Sequence, residues 1–411
     1  MRLLIDNFTK IKEADLQFDG ITVIAGNNNT GKSTVGKILF TLFDVLKDIE
    51  QKTFDERKNE IINIIYSHVK ERADEPDFSL RRELKILLKD IKNPSVDISE
   101  LIGSYLSLKA YADDIDKDGL TNKINEIQSI PKAQIENEII ENKFNNAFHS
   151  QINSLISDET SANIKLKLKG KNISLNFREN SLKEYVKEIN IINNAFYTDN
   201  PFLINYCPVY GMMYDDSIYE ALLSSLNKRE KPNIVESLIG KQKLSMVFEK
   251  LQTVLSGSFV NRDRELFFKH KDFKEELNIK NLSAGLKSFA ILKKLLENGS
   301  LKEKDVIILD EPEIHLHPEW QLVYAELIVL LQKAFTLTVL ITTHSPFFLD
   351  AIEVFSAKHE ISDRLHYYLS VKKDKSVTFE DVTNNIEAIY AKMAEPMQFL
   401  ESLRNQIRME G

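Results

Sequence analysis

A single cysteine in 411 residues, Cys207, rules out an internal disulfide and makes a reducing compartment the natural setting. The first eighteen residues, MRLLIDNFTKIKEADLQF, interleave charge with apolar side chains and hold no uninterrupted apolar core of the kind a secretory signal needs. A membrane-length apolar run is missing too. The longest apolar stretch, Leu327 to Thr343, is broken by Gln332 and Lys333 and ends in β-branched residues, which predicts a buried helix end followed by a core strand. Positive charge is not in excess: the formal net charge is −8, which argues against a wholly basic nucleic-acid-binding domain and leaves only a local basic groove open. Sustained heptads are absent, which excludes a long coiled coil, and neither an internal repeat nor a low-complexity linker stands out. With 43% apolar and 28% charged residues, what remains is a folded cytoplasmic protein with no membrane partner.

Two short β-type runs, RLLIDNF and ITVIAG, open the chain on either side of the turn-prone Asp19-Gly20 pair. A glycine-containing loop and an apolar helix, VGKILFTLFDVLKDI, follow, giving a strand, loop and helix unit. From about 48 to about 160 the text turns charged and rich in Lys, Glu, Ile and Leu at helical spacing, which reads as a helical insertion. IKLKLKGKNISLNFR then alternates around Gly170 and predicts a hairpin with Lys165, Lys167, Lys169 and Lys171 on one side, either a solvated edge or a phosphate-backbone contact strip. The run ending near Thr198 reads as a central strand followed by the turn Asp199-Asn200-Pro201, and GSFVNRDRELFF as a further strand after a second helical stretch. Arg262 and Arg264 on that strand suit a salt-bridged face or a contact to nucleotide.

Chemistry concentrates in four places. Gly26-Asn27-Asn28-Asn29-Thr30-Gly31-Lys32-Ser33-Thr34 fits G-x-x-x-x-G-K-[ST] between a predicted strand and a predicted helix. In that setting backbone N–H groups curl around a polyphosphate, Lys32 reaches the outer phosphates and Ser33 ligates Mg²⁺. Val306-Ile307-Ile308-Leu309-Asp310-Glu311 is an apolar strand that delivers two acids at its end, with Asp310 placed for the metal and Glu311 for the attacking water. His344 follows the next apolar strand, TLTVLITT, where an imidazole can sense a terminal phosphate. Asn281-Leu282-Ser283-Ala284-Gly285-Leu286-Lys287 opens a helix, and its turn can hold an anion or simply cap that helix. His315 and His317 lack a third ligand at a sensible spacing for a metal.

These motifs, in this order, resemble the ABC ATPase superfamily, and the resemblance spans most of the chain. It implies an α/β fold, a P-loop NTPase of the ABC type with a mixed sheet and helical insertions: an N-terminal lobe over 1–47, the insertion over 48–160 and a C-terminal lobe over 161–411. It implies ATP and Mg²⁺ as cofactors, with Asn27 to Thr34 cradling the nucleotide and Glu311, Lys32 and His344 as the catalytic set. Ser283, Gly285 and Lys287 would act in trans, so that the working unit is at least a head-to-head dimer. Ala284 departs from the first glycine of the transporter signature, and no glutamine marks the loop that usually precedes it.

DEPEIHLHP, from Asp310 to Pro318, and TTHSPFFLD, from Thr342 to Asp350, narrow the resemblance to the ATPase heads of overcoming-lysogenization-defect nucleases and stand-alone antiphage ATPases of the Septu type. Only about 60 residues follow Asp350, without a D-x-D pair, so an effector nuclease is expected on a separate chain. The expected function is an ATPase that senses and regulates such an effector in prokaryotic antiphage defence. The alternative is a DNA-maintenance ATPase of the SMC or recombination kind. A transporter subunit ranks last, because roughly 250 residues separate Lys32 from Ser283.

Overall fold

Apolar strands that are buried on both faces and end in polar residues organise the fold around one sheet edge. The structure, a computed structural model, describes residues 1–70, 78–89, 102–105, 116–207, 217–228, 244–270 and 272–410. The opening strands are β1 (Arg2–Phe8), β2 (Ile11–Gln17) and β3 (Ile21–Ala25). β2 lies between the two strands legible in the sequence. Its buried residues are Ile11, Ala14 and Leu16, a spacing that breaks the period of two. The cause is an irregular pairing with the C-terminal strand beside it, where Val377 faces Ile11 but Thr378 faces Glu13, so that Lys12 is the extra residue.

Helix α1 (Lys32–Leu46) follows the phosphate loop and buries Val35, Ile38, Leu39, Leu42 and Phe43 along one broad face. The chain then divides into two compact units, Asp48–Ile140 and the rest, Met1–Lys47 with Glu141–Gly411. The inserted unit contains α2 (Ile49–Lys70), α3 (Phe78–Lys89), α4 (Lys117–Ser129) and the start of α5 (Lys132–Phe148). Its own apolar cluster joins Ile61 and Ile65 to Leu84, Leu120 and Ile124, the i, i+4 stripes of three helices.

In the larger unit the next strands are β4 (Ser161–Leu168), β5 (Lys171–Arg178), β6 (Ser181–Lys187) and β7 (Ala195–Thr198). The β4–β5 hairpin turns at Lys169-Gly170, both in the left-handed region. Its register overturns a four-lysine strip. Lys165 and Lys167 face outward opposite Ser174 and Asn172, whereas Lys171 pairs with Leu168 on the opposite face, and Lys169 belongs to the turn. Helices α6 (Ser217–Leu226) and α7 (Ser245–Val254) precede a small sheet of β8 (Ser258–Arg262), β9 (Glu265–Lys269) and β10 (Leu277–Asn278). GSFVNRDRELFF is therefore a hairpin rather than one strand. Asp263 and Arg264 both take positive φ (50° and 63°) in a two-residue turn reached without glycine, which hid it from the pattern. Arg262 pairs with Glu276 at 3.1 Å.

The remaining elements are α8 (Ala284–Glu297), β11 (Val306–Asp310), α9 (Pro318–Phe335), β12 (Thr338–Thr343), α10 (Pro346–Lys358), β13 (Leu365–Lys373), β14 (Ser376–Asp381) and α11 (Glu387–Glu410). Among the described residues, eleven strands form one mixed sheet in the order β6-β5-β4-β1-β2-β14-β13-β3-β12-β11-β7. From β13 through β7 all neighbours run parallel. ITVIA, VIILD and TVLITT are near-continuous apolar runs because these strands are covered on both faces. Parallel registration brings the C-terminal ends of β3, β12, β11 and β7 to a common edge, where Ala25 faces Thr343, Thr342 faces Asp310 and Leu309 faces Thr198. Such an edge is where open α/β sheets place their sites. Among the described residues no helix is long and apolar enough to cross a membrane.

Candidate nucleotide site

The loop from Gly26 to Gly31 joins β3 to α1, and Gly31 occupies the helix N-cap with φ 74°. No side chain caps this end and no acid lies in the first turn, so the helix presents unsatisfied N–H groups and the positive end of its dipole. A Cβ on Gly31 would approach Ile11 Cγ1 to 3.2 Å. Asn27, Asn28, Asn29 and Ser33 are exposed, Thr34 is half-buried, and Lys32 is buried. The Lys32 ammonium turns back into the loop and donates to the carbonyls of Gly26 and Asn27, both at 2.9 Å. Burial lowers its pKa, and the charges of Glu311, Asp310 and Glu313 work the other way.

Two residues outside the motif brace the loop. Thr30 donates to Asn27 O at 2.7 Å and shares a hydrogen bond with the Ser370 hydroxyl at 2.6 Å, while Lys10 donates to Asn29 Oδ1 at 2.7 Å. Ser370 comes from β13 and Lys10 from the β1–β2 turn. Neither belongs to a recognisable pattern in its own stretch of sequence.

Asp310, at the end of β11, accepts from Tyr197 OH at 2.7 Å and from Thr342 Oγ1. Glu311 takes φ 49°, which swings its side chain off the strand line, while its N–H donates to Thr342 O and Oγ1, both at 3.1 Å. Its Oε1 lies 3.9 Å from Lys32 Nζ and 3.3 Å from His344 Nδ1. Glu313 is buried. Its Oε1 accepts from Thr343 Oγ1 at 2.5 Å and from His344 N at 3.3 Å, and its second oxygen is buried with no hydrogen-bond partner among the described residues. Burial raises the Glu313 pKa against those hydrogen bonds. Asp199, in the turn after β7, accepts from Tyr219 OH at 3.3 Å. Burial and the nearby Asp310 raise its pKa, and Lys37 opposes them.

The structure thus assembles Lys32, Asp310, Glu311 and His344 from three strand ends. Among the described residues no hydrogen bond or ion pair joins Ser283, Gly285 or Lys287 to that cluster. Ser283 is exposed and caps α8, accepting from Leu286 N at 3.4 Å. Gly285 lies under the loop after β11, where a Cβ would approach His315 O to 2.9 Å. Lys287, expected to act in trans, is buried within its own chain. Its ammonium donates to Lys280 O at 2.9 Å and sits 4.8 Å over the Phe202 ring, and burial lowers its pKa.

The family described as "AAA domain, putative AbiEii toxin, Type IV TA system" matches residues 21–350, a span that contains every motif above. The chain belongs to this family. It is an AAA-domain protein that carries a P-loop sequence. Among solved structures it is similar to an SMC head bound to the C-winged helix domain of ScpA, with a TM-score of 0.45 at 12% identity, covering 92% of this chain and 96% of that one. An SMC head domain from Thermotoga maritima gives 0.39 at 10%, covering 93% and 98%. An SMC head with an extended coiled coil, derived from Pyrococcus furiosus, gives 0.35 at 12%, covering 98% of each chain.

Membership of this AAA-domain family implies a nucleotide and, usually, Mg²⁺. The residues fit both. A buried ammonium donating to two loop carbonyls beside an uncapped helix N-terminus suits a polyphosphate. An exposed serine hydroxyl on the first turn of α1 and the Asp310 carboxylate are hard oxygen donors suited to Mg²⁺. Among the described residues no group of three or more His, Cys, Asp and Glu side chains could hold a metal ion.

Proposed function

We propose that this protein hydrolyses ATP to ADP and phosphate at the edge formed by β3, β11 and β12, and uses the cycle to control a separate effector. The observation that carries this reading is the convergence of Lys32, Glu311 and His344 on one point, the Glu311 carboxylate. Lys32 turns from the loop carbonyls to the terminal phosphates, and the N–H groups from Asn27 to Thr34 cradle the rest. Ser33 and Asp310 would hold Mg²⁺, which when bound would supply charge neutralisation on the phosphate oxygens. Glu311 takes a proton from water as the water oxygen bonds the γ-phosphorus, and the bond to the bridging oxygen breaks with its electron pair leaving on ADP. His344, which shares Glu311 Oε1, reports the presence of the terminal phosphate.

Completion of the site by a second copy rests on the exposed Ser283 cap at the N-terminus of α8, which suits the phosphates of a facing subunit in a head-to-head dimer. The text of DEPEIHLHP and TTHSPFFLD resembles overcoming-lysogenization-defect and Septu-type ATPases. On that basis the effector is a nuclease and the setting is prokaryotic antiphage defence. A DNA-maintenance role of the SMC kind is the competing outcome. The test is ATP turnover and native mass of the wild type beside Glu311→Gln, with and without ATP and DNA. A variant that binds ATP, stalls and accumulates as a dimer supports the composite site, and equal turnover by both proteins removes Glu311 from its role. DNA-dependent trapping would favour the SMC kind.

A further inference from the structure

Asp310 is held from both sides. Tyr197 OH donates to Oδ2 at 2.7 Å and the Thr342 hydroxyl donates to Oδ1, so each carboxylate oxygen spends one lone pair on a fixed donor. Tyr197 is wholly buried. Its ring also bears on α1. Gly36, one turn after Ser33, leaves room for it, since a Cβ there would lie 3.2 Å from Tyr197 Cε2 and 2.9 Å from Ile308 Cγ2. The Phe40 ring stands 6.3 Å away, tilted by 58°. One side chain therefore touches both the helix that carries the Ser33 hydroxyl and the carboxylate at the end of β11. Thr342 adds a second tie, because the same hydroxyl accepts from Glu311 N at 3.1 Å.

We propose that Tyr197 and Thr342 are positioning residues which set the plane of the Asp310 carboxylate and its spacing from Ser33, and so determine how tightly Mg²⁺ binds with the nucleotide. The inference rests on Asp310 being the metal-binding acid. A free aspartate rotates about its last torsion, whereas two hydroxyls donating from opposite sides fix that torsion and leave the other lone pairs aimed outward. Outer partners of this kind change metal affinity by about tenfold or more when removed. A phenol in the core also needs a hydrogen-bond partner, so a merely structural pairing is the competing explanation.

The test is binding of a fluorescent ATP analogue to the full chain as Mg²⁺ is titrated from an EDTA baseline, for wild type, Tyr197→Phe, Thr342→Val and Asp310→Asn. The expected result is a rise of about tenfold in the Mg²⁺ concentration for half-maximal binding in both hydroxyl variants, with metal-free binding unchanged. Thr342→Val carries the test if Tyr197→Phe does not fold. A shift with Asp310→Asn but none with either hydroxyl variant overturns the positioning role. Loss of binding that is equal with and without Mg²⁺ overturns it as well. No shift with Asp310→Asn removes the metal assignment itself, and the inference with it.

Discussion

Glu311 Oε1 lies 3.3 Å from His344 Nδ1 and 3.9 Å from Lys32 Nζ, so one carboxylate oxygen is shared between the ends of two strands and the start of α1. The sharing depends on backbone geometry. A regular strand would carry Glu311 onward across the sheet edge, and only its left-handed φ of 49° turns the carboxylate toward the other two groups. Positive φ is costly for a residue with a Cβ, on the order of 1–2 kcal/mol, and strain of this kind is stored where function holds it in place.

Glu311→Gly should accordingly abolish turnover and raise stability by about 1 kcal/mol. Glycine adopts this conformation freely, and the N–H bond to Thr342 O needs no side chain. Urea unfolding beside an ATPase assay checks both halves. A variant that is both inactive and clearly destabilised would show that the contacts to Lys32 and His344 outweigh the strain.

His344→Ala leaves Glu311 Oε1 with Lys32 alone. The expected outcome is a fall in turnover of roughly 10²-fold, in the range of a positioned acid–base group, with ATP affinity within about threefold, since the phosphate loop is untouched. Single-turnover kinetics separate the two. A large loss of affinity with unchanged chemistry would make His344 a binding residue instead.

The strands β3, β11 and β12 were legible because burial on both faces leaves unmistakable runs, ITVIA, VIILD and TVLITT, and because a phosphate loop needs glycine and lysine at fixed spacing. What was not legible depended on register or on residues far apart in sequence. β2 lost its alternation to one extra residue at Lys12, and the turn at Asp263-Arg264 adopts positive φ without glycine. Tyr197, Thr342, Ser370 and Lys10 act across strands, and no local pattern distinguishes them from ordinary core or surface residues. The contacts of Lys287 were equally invisible in its own stretch of sequence, since Lys280 O and the Phe202 ring come from elsewhere in the fold.

Gly285→Val tests the signature turn without touching the phosphate loop. The added side chain meets His315 O, the Trp320 ring and Leu316, so the loop after β11 has to move or the N-terminus of α8 has to lift. ATP binding by the single chain is expected to persist within about twofold, because a rigid lobe keeps the phosphate loop's own contacts, while ATP-dependent dimerisation is lost. Native mass with and without ATP, on a Glu311→Gln background, reads this directly. A variant that still dimerises would take the Ser283 turn out of the interface.

Glu326 offers a pH test remote from the chemistry. It sits buried on α9, with Lys250 from α7 and with Lys358 and His359 at the end of α10 around its carboxylate. Burial pushes its pKa up, but the hydrogen bonds from Lys250, Lys358 and His359 together outweigh burial and hold it at about 2, below the ordinary 4.5. Because the folded value is the lower one, its stabilising contribution is complete above pH 4.5 and disappears as the pH falls toward 2. Glu326→Gln should therefore cost about 3 kcal/mol near pH 7, and the gap from wild type should narrow below pH 4.5 and close near pH 2. Urea unfolding of both proteins across that range decides the point. A gap that does not change with pH would mean that shape and hydrogen bonding, which glutamine also alters, hold these three helices together, rather than the charge.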